Sequence, residues 1–303
     1  MPTLILKLGA TGDVVRTTTV LPRLLNGRSC GGEVTWVTAE KNLSMVDGLG
    51  GVRAVGWERW EGALDREYDL VINLEDTDDV AELAEEAVRR SGGRARLFGA
   101  KRQAGGGLGY TEDAGGWFDL SLLSRFGRKR ADGLKYENRR TYQDLLFEGL
   151  GWEFRGEAYA LPRAEPTGLS GDVAISPVAG AVWPMKAWAY YGELQRELEG
   201  RGFTVNVLPT RATLLEHLGD VQGHRVLVSG DSLPMHLALG SGVRCVTLFN
   251  CTSPWEIHDY GLMSKLISPL LGEFFYQRGF DERATKAISL EEVLEATLKQ
   301  MGS

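Results

Sequence analysis

Long hydrophobic runs, clustered cysteines and an excess of basic charge are all missing from this sequence. No apolar stretch reaches the roughly 18 residues that a membrane span needs. Met1 leads directly into the strand-like run Leu4–Leu8, with no charged leader region and no cleavage site, so the chain reads as cytosolic. The three cysteines, Cys30, Cys245 and Cys251, are odd in number and lack CxxC or zinc spacing, which argues against a disulfide framework and for buried thiols. The sequon at Asn250, Cys251 and Thr252 has no consequence without export. No pair among the four histidines, His217, His224, His236 and His258, has zinc spacing. With 34 Lys+Arg against 41 Asp+Glu and a net charge of -7, the chain has the wrong sign to collect polyphosphate backbones, so nucleic acid is not an expected partner.

What is present is an ordinary globular composition: 43% hydrophobic and 25% charged residues over 303 positions, enough for two medium cores. Short β-branched or leucine-rich runs alternate with helix-period segments, which specifies an α/β protein of parallel strands joined by crossover helices. Strands are expected near 3–8, 33–38, 52–55, 69–73 and 95–98, with helices near 13–26 and 78–91. The rhythm breaks at 100–135, read as an insertion: Gly105, Gly106, Gly107 and Gly109 are followed by Leu120, Leu122, Leu123 and Phe126 among Arg125, Arg128, Lys129 and Arg130. A helix near 136–150 and a Pro- and Gly-rich linker at 161–171 follow. The alternation then restarts, with strands near 172–176, 203–208, 225–229 and 243–249 and helices near 187–200, 211–218 and 234–241. A closing helix at 289–301 is opened by Ser289 with Glu292 three residues on. The simplest architecture is two Rossmann-like domains facing each other across a cleft. The expected boundaries are 1–162, 163–288 and a closing helix at 289–303.

Three strand-to-helix turns carry residues with chemistry. The first places Gly9, Gly12 and Asp13 where an open α/β sheet presents its ligand-facing edge, yet its spacing matches neither GxGxxG nor a P-loop, so no dinucleotide cofactor is implied. Asp13 reads equally as a helix-opening carboxylate and as a general base. The second, 175–188, sets Lys186 between Trp183 and Trp188, where a lysine can meet an anion; Trp188 reads as packing. The third runs through Ser229, Gly230, Asp231 and Ser232 to Pro234, and the amides of a helix starting there suit phosphate oxygens. Asp231 would repel a diphosphate, so it is expected to face sugar hydroxyls, Lys186 or backbone, and His236 reads as a buried hydrogen-bonding residue. Asp76, Thr77 and Asp78 imitate a DxD metal motif but are explained by the opening of a helix. The basic residues at 125–130, with their leucines and Phe126, suit either a solvated face or an anionic lipid surface.

Together these segments resemble the heptosyltransferase family of glycosyltransferases, family 9. TGDVVRTT (11–18) is similar to the family's Gly-Asp-Val segment, SPVAGAVWPMKAW (176–188) to its loop ending in Lys-x-Trp, and the stretch 230–261 to its Asp-Thr-Gly-x-x-His signature with the strand and loop beyond. The resemblance implies a GT-B fold whose closing helix crosses back to the first domain. It implies inverting, metal-independent transfer of a heptose or related sugar from an ADP-activated donor to a hydroxyl of a lipopolysaccharide-core-like or other glycan acceptor, with no cofactor. Asp13 would be the base, Lys186 the partner of the donor phosphates, and Asp231 the residue that positions the sugar. The donor would contact Gly12, Ser176, Lys186, Gly230, Asp231, Ser232, Leu233, Pro234, Met235 and His236; the acceptor would meet Arg16, Thr17 and Thr18. Peripheral contact with the inner face of a membrane is compatible with such an acceptor. Ser232-Leu233 replaces the family's Thr-Gly, and leucine tolerates positive φ poorly, so a reshaped phosphate loop is expected. A non-transferring nucleotide-sugar-binding relative or regulator, or an epimerase on the same fold, stays open as an alternative.

Overall fold

The alternating runs fold into two parallel sheets in a computed structural model that describes residues 1–25 and 33–302. Cys30 lies outside the described residues. The chain divides into two compact units, Met1–Pro162 and Arg163–Ser303. The division falls inside the 161–171 stretch, which has no regular structure until Gly171.

In the first unit the strands are β1 (Thr3–Leu6), β2 (Val34–Thr38), β3 (Val52–Gly56), β4 (Leu70–Asn73), β5 (Arg96–Arg102) and β6 (Leu108–Tyr110), in sheet order β3-β2-β1-β4-β5-β6. Strands β1, β2 and β4 are buried throughout because both sheet faces are covered, which is why they read as continuous apolar runs. Alternate residues serve opposite faces: Ile5, Trp36, Ile72 and Phe98 pack with Leu146 and Phe147, while Leu4, Leu6, Val37 and Val71 pack with Leu83 and Ala87. The glycine-rich part of the expected insertion is a hairpin turn joining β5 to the antiparallel β6, with Gly106 and Gly107 at positive φ.

The helix expected at 13–26 is interrupted. An α-helix Thr11–Thr17 passes into a 3₁₀ turn at Thr18–Val20 and a short helix Leu21–Leu25, because Pro22 cannot donate the bond a continuous helix requires. The helix expected at 136–150 is two: Arg128–Glu137 and Tyr142–Leu150, the second opened by a reciprocal cap between Thr141 and Asp144.

The second unit holds β7 (Gly171–Ser176), β8 (Val205–Val207), β9 (His224–Gly230), β10 (Arg244–Phe249) and β11 (Met263–Ile267), in order β11-β10-β9-β7-β8. β11 is an added parallel edge strand that the sequence pattern did not mark; none of its five residues is fully buried. The closing helix Leu290–Gly302 is capped by Ser289 and Glu292. Its Val293 and Met301 pack in the core of this second unit beside Val226, Val228 and Val246. Its apolar stripe matches the face of β9 and β10 that would otherwise be open. Cys245 and Cys251 are buried, and burial pushes their thiols up to about 12 and about 11, leaving them unreactive.

Candidate active site

Each sheet reverses its strand order once, and ligands of open α/β sheets bind outside the carboxyl ends of the strands at that reversal. In the first unit the reversal lies between β1 and β4. The turn after β1 is held there by the carboxylate of Glu75, just past β4: its Oε1 accepts from Lys7 Nζ at 2.7 Å, the Leu8 amide at 2.7 Å and the Gly9 amide at 3.2 Å. Asn42 clamps the other side, donating from Nδ2 to the Leu8 carbonyl at 2.6 Å and accepting from the Thr11 hydroxyl at 2.6 Å. Lys7, Asn42 and Glu75 were not singled out from the sequence. Only their pairing across strands, which a linear reading does not contain, reveals their role.

This clamped turn delivers Asp13 into the first turn of the Thr11–Thr17 helix, half-exposed, with its carboxylate 2.8 Å from Arg16 one turn on. Asp13 is not the cap, since Ala10 occupies that position. Arg16 in turn lies over the Tyr142 ring at 4.1 Å, and the Tyr142 and Thr17 hydroxyls pair at 2.8 Å. Burial pushes the Tyr142 hydroxyl well above its usual range, so it stays neutral. Gly12 sits beside Asp13 in the same helical turn. Thr17 and Thr18 are fully buried, and the Thr18 hydroxyl donates to the Val15 carbonyl and accepts from the Ala160 amide. The expectation that they meet an acceptor is corrected here. Their β-branched side chains face the core, the Thr17 hydroxyl donating to the Asp13 carbonyl at 2.6 Å, and of the three residues Arg16 pairs with the Asp13 carboxylate.

In the second unit the reversal lies between β7 and β9. Ser176 ends β7, buried, and the chain then runs to a 3₁₀ turn, Pro184–Lys186. Lys186 is aimed by its neighbours. Met185 is buried with Cys251, Phe274 and Ala284, while Trp188 is buried and donates from its indole nitrogen to the Ile288 carbonyl at 2.8 Å. Asn250, at the end of β10, donates to the Ala187 carbonyl at 3.1 Å and so ties this loop to the sheet. Gly230 lets the strand approach closely here: a Cβ would stand 3.0 Å from the Lys186 carbonyl oxygen and press this loop away.

The Lys186 ammonium donates to the Asp231 carboxylate at 2.9 Å and the Asp231 carbonyl at 2.7 Å. Burial alone would raise the Asp231 carboxyl; the Lys186 charge opposes that, His236 and the direct hydrogen bond add to it, and the group is held at about 2. Asp231 therefore faces Lys186.

Ser232 follows as the N-cap of the helix Leu233–Ser241, its hydroxyl turned back to the Gly230 carbonyl at 3.3 Å, so no side chain caps the helix. The amides of Ser232, Leu233 and Met235 precede the first intrahelical bond, and Pro234 has none to offer. The side chains of Pro234, Met235 and His236 are buried, which leaves their donor role to backbone and field. Leu233 is the first helical residue, and among the described residues only Tyr260 and Tyr276 are non-glycines at positive φ. Ser232 and Leu233 therefore keep ordinary negative-φ backbone, and neither is strained for want of glycine. Chemically the half-site joins a lysine, a buried carboxylate and open helix amides, a set suited to a diphosphate and the sugar it carries.

Elsewhere, Thr77 stands at the N-cap position of the helix Asp78–Arg90 with its hydroxyl on the Asp79 carboxylate, and Asp78 and Asp79 open the helix. Among the described residues no three His, Cys, Asp or Glu side chains converge as a metal site would require.

No family model matches the chain, and no curated protein matches it by sequence. Solved structures do match. A glycosyl transferase family 9 protein from Veillonella parvula superposes at TM-score 0.64 and 15% identity over 99% of this chain and 97% of its own. The ADP-heptose lps heptosyltransferase II of E. coli gives 0.64 and 15%, over 99% and 98%. The E. coli heptosyltransferase WaaC, solved with ADP-2-deoxy-2-fluoro heptose, gives 0.58 and 16%, over 99% of each chain. What is common to chains this far apart in sequence is the fold, and the protein has the two-Rossmann GT-B fold of these glycosyltransferase structures.

Proposed function

We propose that the protein is a glycosyltransferase of the heptosyltransferase kind. It moves a heptose or related sugar from an ADP-activated donor to a hydroxyl of a lipopolysaccharide-core-like, lipid-linked or other glycan acceptor. The observation that carries this reading is the Lys186–Asp231 pair beneath an uncapped helix N-terminus at the reversal of the second sheet. Full-length likeness to structures solved with ADP or an ADP-heptose supports it. Two of the three N–H bonds of Lys186 are engaged by Asp231, and the third, with the amides of Ser232, Leu233 and Met235, meets the charge that grows on the departing diphosphate. Asp231 holds Lys186 in place and presents its remaining lone pairs to the sugar. Asp13, fixed by the Glu75 and Asn42 clamp and by Arg16, takes the proton of the acceptor hydroxyl, a role worth roughly 10²–10⁴ in rate. A single displacement inverts the anomeric centre and needs no carboxylate nucleophile.

Incubation with ADP-heptose tests this through ADP release or slow donor hydrolysis, with NMR reporting the product anomer. Asp13→Ala should abolish most turnover and spare ADP affinity. Absence of ADP release from any sugar nucleotide with varied acceptors, or unchanged kcat in Asp13→Ala, would refute it. Diphosphate-intact conversion of the donor alone would instead identify an epimerase. Contact with an anionic membrane is part of the same proposal. It is supported by Leu122 and Phe126, 63% and 57% exposed beside Arg125, Arg128, Lys129 and Arg130, and co-sedimentation with phosphatidylglycerol vesicles tests it. No described helix is long and apolar enough to cross a membrane.

A further inference from the structure

The first unit contains a cavity of about 530 Å³ between the turn Trp57–Leu64 and the helix Asp78–Arg90, lined by no residue of either half-site. We propose that it is a second binding site, for a neutral oligosaccharide. The inference goes beyond the transfer reaction and does not rest on it.

Its size falls in the ~300–1,000 Å³ range of small-ligand sites. Trp57 and Trp60 form one wall, their ring centroids 6.4 Å apart and the planes inclined by 28°. Both are half-buried: each packs against the core around Leu64 and Leu83 while also bordering the cavity. An indole face is flat, apolar and negative, which suits the positively polarised C–H face of a pyranose ring.

In the polar wall all three guanidiniums are already paired, while Glu85 accepts from the Arg102 backbone amide and Asp79 from the Thr77 hydroxyl. Glu86 accepts from Arg89 and Arg90, each at 2.6 Å, and Glu82 accepts from Arg102 at 2.5 Å. An anionic ligand would have to displace these carboxylates from the guanidiniums. A hydroxyl adds to them instead, because a paired carboxylate keeps lone pairs and a guanidinium has five N–H donors. A nucleotide would also stack on indole, but the lining sets four carboxylates against three guanidiniums, an unfavourable surround for phosphate. Flat apolar walls beside a field of satisfied hydrogen-bonding groups select a polyhydroxylated ligand without charge.

The test titrates the intact protein with maltohexaose, cellohexaose, chitohexaose and mannohexaose, read by tryptophan fluorescence and calorimetry. At least one should bind with a millimolar or tighter Kd, and Trp60→Ala should weaken it about tenfold or more. The far-ultraviolet circular dichroism of the variant should match that of the wild type. If Trp60→Ala fails to fold, Trp60→Phe and Arg102→Gln take its place, the second removing the exposed partner of Glu82. No binding of any of the four up to about 10 mM overturns the proposal. Binding that the Trp60 and Arg102 substitutions leave unaltered overturns it equally.

Discussion

Replacing Lys186 by alanine isolates the electrostatics of the second half-site. In the wild type the Asp231 carboxyl sits at about 2 against an ordinary 3.8, despite burial that pushes the other way. A group with a depressed folded pKa stabilises above its unfolded value and loses that contribution as pH falls through the folded one. The Asp231 contribution is thus complete at pH 5 and fades between about 4 and 2. The displacement from 3.8 to about 2 corresponds to roughly 2 kcal/mol. Breaking a buried pair typically costs about 3–5 kcal/mol, and side-chain exposures of 19% for Lys186 and 10% for Asp231 favour the lower end.

Both routes give about 2–3 kcal/mol near neutrality, or roughly 5–10 °C in melting temperature for a unit of this size. In Lys186→Ala the main opposing charge is gone while burial, His236 and the Thr252 hydroxyl remain, so the carboxyl moves up from its wild-type position and the stabilisation gained between acid and neutral pH shrinks. Circular-dichroism melts of both proteins from pH 2 to 8 should show a gap that opens from acid to neutral, and adding Asp231→Asn to the variant should close most of it. Parallel curves, or no recovery in the double variant, would refute the claim that Lys186 holds a buried carboxylate.

Glu75→Gln removes the charge that gathers Lys7, Leu8 and Gly9. It should cost about 1–3 kcal/mol in urea denaturation and, on the proposed function, lower kcat while sparing ADP affinity; weakened ADP binding would contradict the division of roles. Gly230→Ala sets a Cβ 3.0 Å from the Lys186 carbonyl, so calorimetry should show ADP bound about tenfold more weakly, and unchanged affinity would dissociate this loop from the phosphates. Tyr142→Phe deletes the hydroxyl paired with Thr17 and should cost about 1 kcal/mol, read as a lower urea midpoint with an unchanged slope; an unmoved midpoint would show the bond contributes nothing.

Much of the fold is legible in one dimension because its signals are local. The fully buried strands read as unbroken apolar runs, and Ser289 with Glu292 opens the closing helix. The errors fall where tertiary context decides. The sequence pattern passed over β11 because an exposed edge strand needs no apolar run. The helix at 136–150 was mis-started although Thr141 and Asp144 carried a capping signal. Thr17 and Thr18 look like polar site residues, yet burial turns them into the core.

The amino-acid order by itself determined the α/β class, the two-part organisation and the three turns bearing Asp13, Lys186 and Asp231, since periodicity and glycine-bearing turns are properties of neighbouring residues. Only the tertiary structure decided that Glu75 and Asn42 clamp the Asp13 turn, that Asp231 is a buried carboxylate held ionised by Lys186, and that the Leu233–Ser241 helix starts without glycine. Each of these depends on strands being laid side by side in a particular order. Hydrogen bonds and charges act through a few ångströms of space, whatever number of residues separates their owners.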